Sequence, residues 1–167
     1  DDELVDIYGH IGGGFYSSNA NPTFNYNLIS NNNVDLYSGG GGVVDNNLFQ
    51  TANKLLGNEK NETIIEFAYQ GPRLRLDKGS VQIVITGDVH FIISKKSENF
   101  LENIGETFRT YQLNEGDIID ILATKTSVYG YFGVIGGFKI NKYNRGGSTL
   151  VGSGIGPNNG KRIQENQ

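Results

Sequence analysis

The 167-residue sequence contains no cysteine, methionine or tryptophan, three prolines and two histidines. Without cysteine there is no thiol nucleophile, no zinc–thiolate centre and no iron–sulfur cluster. His10 and His90 do not by themselves supply a three-imidazole metal site, and His90 alternates with Val89 and Ile92, the setting of a structural or surface residue; no metal is expected. The longest apolar stretches, Val81–Thr86 and Phe132–Phe138, fall far short of the roughly 20 residues that span a bilayer. Lysine and arginine number 14 against 18 aspartate and glutamate, a formal charge of −4, and the cations are scattered. A nucleic-acid-binding face needs clustered cations to displace counterions from phosphates, so nucleic acid is excluded as a partner. The chain begins Asp1-Asp2-Glu3 and carries no initiator, which is expected of a processed product or a piece of a longer chain. No targeting segment is visible, and a soluble, cytoplasmic protein is the expectation.

What the sequence has in abundance is glycine, 24 residues of it, concentrated early with asparagine and serine. The runs Gly12-Gly13-Gly14, Asn31-Asn32-Asn33 and Gly39–Gly42 favour turns over packed elements, and residues 12–36 read as a loop or insertion with one short strand at Thr23–Leu28. It serves either as a lid or as decoration. Otherwise 167 residues form one domain, which at this size buries about 70% of the unfolded chain's surface and needs neither disulfide nor metal for stability.

One helix is clearly signalled. Asp45 can accept the free amide hydrogens of a first turn, Leu48, Ala52 and Leu55 follow at i, i+4, i+7 with Phe49 and Leu56 widening the stripe, and Gly57 stands where a left-handed residue ends a helix. The pattern predicts a helix over Asn46–Leu56 packed on a sheet by one face. Most of the remainder reads as strands: Thr63–Tyr69, Arg73–Leu76, Val81–Thr86, Val89–Ser94, Thr107–Leu113, Asp117–Ala123 and Val128–Gly136, separated by glycine-containing turns. An antiparallel sandwich or barrel is predicted. A weaker helical signal covers Ser97–Ile104, with Phe100, Leu101 and Ile104 behind a capping Ser97.

Single residues offer little catalytic chemistry. Asp117 and Asp120 lie three apart in a predicted strand, hence on opposite faces, and make a poor acid–base pair. Gly152-Ser-Gly-Ile-Gly156 lacks the Gly-Lys-Ser/Thr ending of a P-loop and reads first as a turn. The order of several phrases is more specific: Gly42-Val-Val-Asp45, Ala52-Asn53-Lys-Leu-Leu-Gly57-Asn58, Gly71-Pro72-Arg-Leu, Thr86-Gly87-Asp88, Phe108-Arg109-Thr-Tyr111 before Gly116-Asp117, Tyr131-Phe-Gly-Val-Ile-Gly136-Gly137, and Ser148-Thr149 followed by Gly154, Gly156 and Gly160-Lys161. Taken together these resemble the biotin-dependent carboxyltransferase subfamily that includes the KipA-type proteins, over roughly residues 38–163.

The resemblance implies a mainly β, cyclophilin-like antiparallel barrel that is the first half of a two-barrel protein with the active cleft between the halves. Relatives act in urea carboxylase, as a subunit of ATP-dependent 5-oxoprolinase, or as the partner of a KipI-type protein; many carry the label allophanate hydrolase subunit 2. No cofactor is then bound directly, and carboxybiotin or ATP enters through partner subunits. The substrate or anion-binding candidates are Asn53, Ser148, Thr149, Gly154, Gly156 and Lys161. A Gly-rich loop leaves backbone amides free to approach a carboxylate, with the Lys161 ammonium nearby. Asn53 costs helix propensity inside an apolar-faced helix, so its side chain either holds the following loop or faces the cleft. Asp45, Gly57 and Gly71-Pro72 have complete structural explanations as a cap, a helix end and a turn, and Asn58, Asp88, Gly136 and Gly137 are taken as structural residues of the matched motifs. There are departures: His10 stands where relatives carry Arg after Leu-Gly, Gly152 stands where another Arg follows Ser-Thr-Tyr-Leu, and Lys161 replaces a third. Arginine offers a two-pronged donor set that glycine lacks. Two functions follow, an enzyme part acting on a small amide or lactam, and a binding module that regulates a KipI-type partner without turnover.

Overall fold

The computed structural model describes residues 23–26, 33–37 and 46–138. In chain order the elements are β1 (Thr23–Tyr26), β2 (Asn33–Tyr37), α1 (Asn46–Leu56), β3 (Ile64–Ala68), β4 (Arg73–Lys78), β5 (Ser80–Thr86), β6 (Val89–Ser94), a 3-10 turn (Lys96–Glu98), β7 (Glu102–Ile104), β8 (Thr110–Asn114), β9 (Ile118–Thr124) and β10 (Tyr129–Val134). All pairings are antiparallel and form two five-stranded sheets, β1-β4-β9-β6-β7 and β2-β3-β10-β5-β8. This is the expected mainly β architecture with one helix, its barrel flattened into two facing sheets.

Alternation along each strand builds the core between the sheets. Leu74 and Leu76 of β4, Phe91 and Ile93 of β6 and Ile119 and Ile121 of β9 meet Ile65 and Phe67 of β3, Ile83 and Ile85 of β5 and Phe132 and Val134 of β10. Each such side chain contributes about 1.5–3 kcal/mol by leaving water. The opposite face of the second sheet presents Ile64, Val84 and Tyr131 to α1, which covers them with Phe49, Ala52 and Leu56. The helix bounds are those predicted, but its buried stripe is rotated: Leu55 is 41% exposed, and the fully buried Asn53 lies beside Ala52 on the packed face.

Two expectations are corrected. In the Gly/Asn-rich stretch the one strand expected at Thr23–Leu28 is present as β1, but a second, β2, is not among those expected; the two add edges to the sheets through pairing with β4 and β3. Formation of β2 follows from the available edge of β3 rather than from local composition. The weak helix at Ser97–Ile104 is a 3-10 turn followed by β7, because Asn99 and Phe100 adopt φ of 52° and 59°, which stop a right-handed helix. Asp45 lies outside the described residues, as do His10, Gly152 and the Ser148–Lys161 phrase. Among the described residues no helix is long and apolar enough to cross a membrane.

Candidate functional site

Most of the described motif residues fall into two groups at opposite ends of β10. Its C-terminal end meets the end of α1. Gly57 takes φ +70° and donates its N–H to the Lys54 carbonyl at 3.1 Å, while the Asn58 N–H donates to the Asn53 carbonyl at 2.9 Å. Asn53 Nδ2 donates to the Glu62 carbonyl at 3.0 Å, and Asn53 Oδ1 accepts from Asn58 Nδ2 at 3.0 Å. Asn58 Nδ2 also donates to the Val134 carbonyl at 2.9 Å, and Asn58 Oδ1 accepts the Gly136 N–H at 2.7 Å. Two carboxamides thus join α1, the loop before β3 and the exit of β10, segments that are 76 and 78 residues apart in the case of Asn58.

The exit itself is a pair of left-handed glycines, Gly136 at φ +78° and Gly137 at +70°. The Gly137 N–H closes the turn on the Val134 carbonyl at 3.0 Å, and the Phe138 N–H donates to the Thr63 carbonyl at 2.8 Å. A Cβ on Gly137 would lie 2.8 Å from Glu62 Cβ, so glycine is required here both by φ and by space. Of the two roles open to Asn53, holding the following loop is the one its contacts fill. Asn58, read from sequence only as a motif residue after the helix, proves to be the centre of the network; an Asn directly after the terminal glycine of a helix was the signal available.

At the other end of β10 three turns converge. The Gly71 N–H donates to the Ile121 carbonyl at 3.1 Å and the Ile121 N–H to the Pro72 carbonyl at 3.2 Å. A Cβ on Gly71 would collide with the Ile121 side chain, so glycine lets this turn lie directly on β9. The Lys125 N–H donates to the Asp88 carbonyl at 2.8 Å, Asp88 Oδ2 accepts from Thr126 Oγ1 at 2.7 Å, and Lys125 Nζ is 3.8 Å from Asp88 Oδ1. The Thr126 hydroxyl, aided by its N–H and by Lys125, holds the Asp88 carboxyl below the usual carboxylate range against partial desolvation.

Asp117 and Asp120 are not set up as a pair for acid–base work. Asp117 sits in the turn before β9, not in the strand, where Oδ1 accepts the Lys96 N–H at 2.8 Å and Oδ2 the Asn114 N–H at 2.9 Å. Asp120 is on β9 beside Arg73 at 3.7 Å; partial burial pushes its carboxyl up, with Arg73 opposing and Glu102 adding to the rise. His90 is exposed on β6. Arg109 pairs with Glu106 at 3.3 Å and lies over the Tyr111 ring at 5.5 Å. Among the described residues no cluster of three or more His, Cys, Asp or Glu could hold a metal.

The carboxyltransferase domain family, subdomain A and B, matches residues 39–167. The chain belongs to this carboxyltransferase family. Its fold is shared with crystal structures of TTHA0988 (TM-score 0.72, 18% identity, 98% of this chain and 31% of that one), K. lactis urea amidolyase (0.70, 18%, 85% and 9%) and Kluyveromyces lactis urea carboxylase (0.69, 19%, 87% and 13%). In a further crystal form of TTHA0988 the coverage of that chain is 53%. The carboxyltransferase chain therefore spans about half or less of the structures it resembles. No curated protein sequence gives a significant match.

Proposed function

We propose that this chain is a carboxyltransferase-type domain of a multisubunit enzyme acting on a small amide or lactam, of the urea carboxylase or ATP-dependent 5-oxoprolinase kind. The observation that carries the reading is the family match, which extends through the Ser148–Lys161 phrase. The shared fold of the urea carboxylase and urea amidolyase crystal structures supports it. In this reading a second barrel half completes the cleft, a KipI-type subunit joins the assembly, and carboxybiotin or ATP comes only through the partners.

The chain's own residues would bind and orient. Backbone amides around Gly154 and Gly156, the hydroxyls of Ser148 and Thr149 and the ammonium of Lys161 offer donors to a carboxylate or to the anion that develops on an amide oxygen or nitrogen. The Asn53–Asn58 network supports them indirectly, by fixing the direction in which the chain leaves β10 at Gly136-Gly137.

The test mixes the full-length protein with a KipI-type subunit and a biotin-carrying partner and follows carboxylation of urea and ATP-dependent loss of 5-oxoproline. One of the two rates should rise above background. Complex formation with neither reaction would favour the second reading, a regulatory binding module, which rests on His10 and Gly152 where the resembled family carries arginine.

A further inference from the structure

We propose that the segment Glu98–Phe108, with β7 at its centre, is a docking edge for an extended, basic and apolar segment of a partner protein, which adds to the first sheet as a sixth strand. The inference goes beyond the catalytic reading and does not rest on it. β7 is the edge of the β1-β4-β9-β6-β7 sheet and pairs only with β6 among the described residues. All three of its residues are exposed. Within nine positions the chain presents Phe100 (47% exposed), Leu101 (64%), Ile104 (74%) and Phe108 (46%) to water.

That exposure is built in. Phe100 and Phe108 are held in the left-handed region at φ 59° and 62°, which bulky residues avoid, by hydrogen bonds from the Phe100 N–H to the Lys95 carbonyl (2.9 Å) and from the Phe108 N–H to the Ile85 carbonyl (2.8 Å). The segment is also braced: the Gly105 N–H donates to the Phe91 carbonyl at 3.0 Å, and Asn103 Nδ2 bridges Glu98 Oε2 and the Leu101 carbonyl at 3.1 Å each. Positive φ keeps two phenylalanines at the surface beside a three-residue strand edge that has no lysine or proline and carries one charge, Glu102, which discourages pairing with like-charged strands and leaves the edge open to a basic one.

Charge identifies the occupant. No lysine or arginine occurs from Ser97 to Phe108, whereas glutamate recurs at 98, 102 and 106. Glu106 is paired with Arg109, but among the described residues Glu102 has no cation within ion-pair distance. A second copy of this edge would bring like charges together, which disfavours self-pairing. A strand alternating lysine or arginine with apolar residues would satisfy the open backbone edge, cover Ile104 and meet the glutamates.

The experiment uses an acetylated, amidated peptide of about eight residues alternating lysine with valine, and its glutamate-for-lysine counterpart, titrated into the isotope-labelled protein. The lysine peptide should bind saturably, weaken as salt rises, and shift amide resonances of residues 98–108. Glu102→Lys and Ile104→Lys should each weaken it roughly tenfold while leaving the protein folded, as its dispersed amide spectrum shows. Equal binding of the glutamate peptide, unaltered affinity in both folded variants, shifts confined to another region, or no binding would each overturn the proposal. So would self-association abolished by Ile104→Lys, which would make the occupant a second copy. The readout is binding, so failure of the urea and 5-oxoproline assays leaves this result standing on its own.

Discussion

Asn58 makes three hydrogen bonds with one carboxamide, to Asn53 Oδ1, the Val134 carbonyl and the Gly136 N–H. Asn58→Ala strands three partly buried groups on two segments, and a destabilisation of about 2–4 kcal/mol is expected in urea unfolding with an unchanged m-value. Asn53→Ala removes the donor to Glu62 as well as the shared contact. In the double variant the losses should fall short of additive by about 0.5–3 kcal/mol, the signature of one network; simple additivity would show two independent residues. The glycines give a sharper contrast. Gly57 and Gly137 share φ +70°, yet a Cβ on Gly57 meets nothing within 4 Å, whereas one on Gly137 meets Glu62 and the Thr63 nitrogen. Gly57→Ala should cost about 1 kcal/mol from backbone conformation alone, and Gly137→Ala roughly 2–4 kcal/mol because overpacking adds to it.

Turns, more than strands, distinguish the elements here. The loop joining β9 to β10 is held on the β5–β6 turn by Asp88, whose folded pKa is depressed, chiefly by the Thr126 hydroxyl. For a depressed carboxyl the stabilisation is complete above its ordinary value and is lost as pH falls through the lower folded one. Asp120 behaves oppositely: with its folded pKa raised by burial, stability declines as pH rises from the ordinary value through the raised one. Thermal midpoints followed from acid to neutral pH should therefore lose part of their acid-side fall in Asp88→Asn and gain stability at neutral pH in Asp120→Asn, less whatever the Arg73 pair contributes. An unaltered profile in Asp88→Asn would remove Asp88 as the source. Most elements were legible because period-two alternation between glycine turns marks a strand whichever partner it finds. The Ser97–Ile104 segment was not, since its apolar spacing fits a helix and the positive φ at Asn99 and Phe100 is set by contacts to Lys95 and Lys96 outside that spacing. The burial of Asn53 rather than Leu55 was equally hidden: both fit a helical stripe, and the partner for a buried amide lies on another element.

For the whole molecule, the two sheets share one core, so the site's support and the distal docking edge belong to a single cooperative unit. Phe132 of β10 packs in that core while its neighbours pair with β3 and β5. In the proposed function the activity depends on assembly, and Lys161→Ala provides the matching test: in the mixed complex it should lower an observed turnover while leaving complex formation intact, and an unaffected rate would remove Lys161 from the proposed anion site. Local pattern alone settled the fold class, the bounds of α1, most strands and the motif order that the family match bears out. Periodicity and turn chemistry act over a few residues, and a linear string displays them in full. Only packing decided how ten strands divide between two sheets, that β2 exists and that β1 and β2 are sheet edges, and that Asn53, Asn58 and Gly136 form one network. Those outcomes rest on hydrogen bonds between residues up to 78 positions apart. Their geometry exists only once the core has closed.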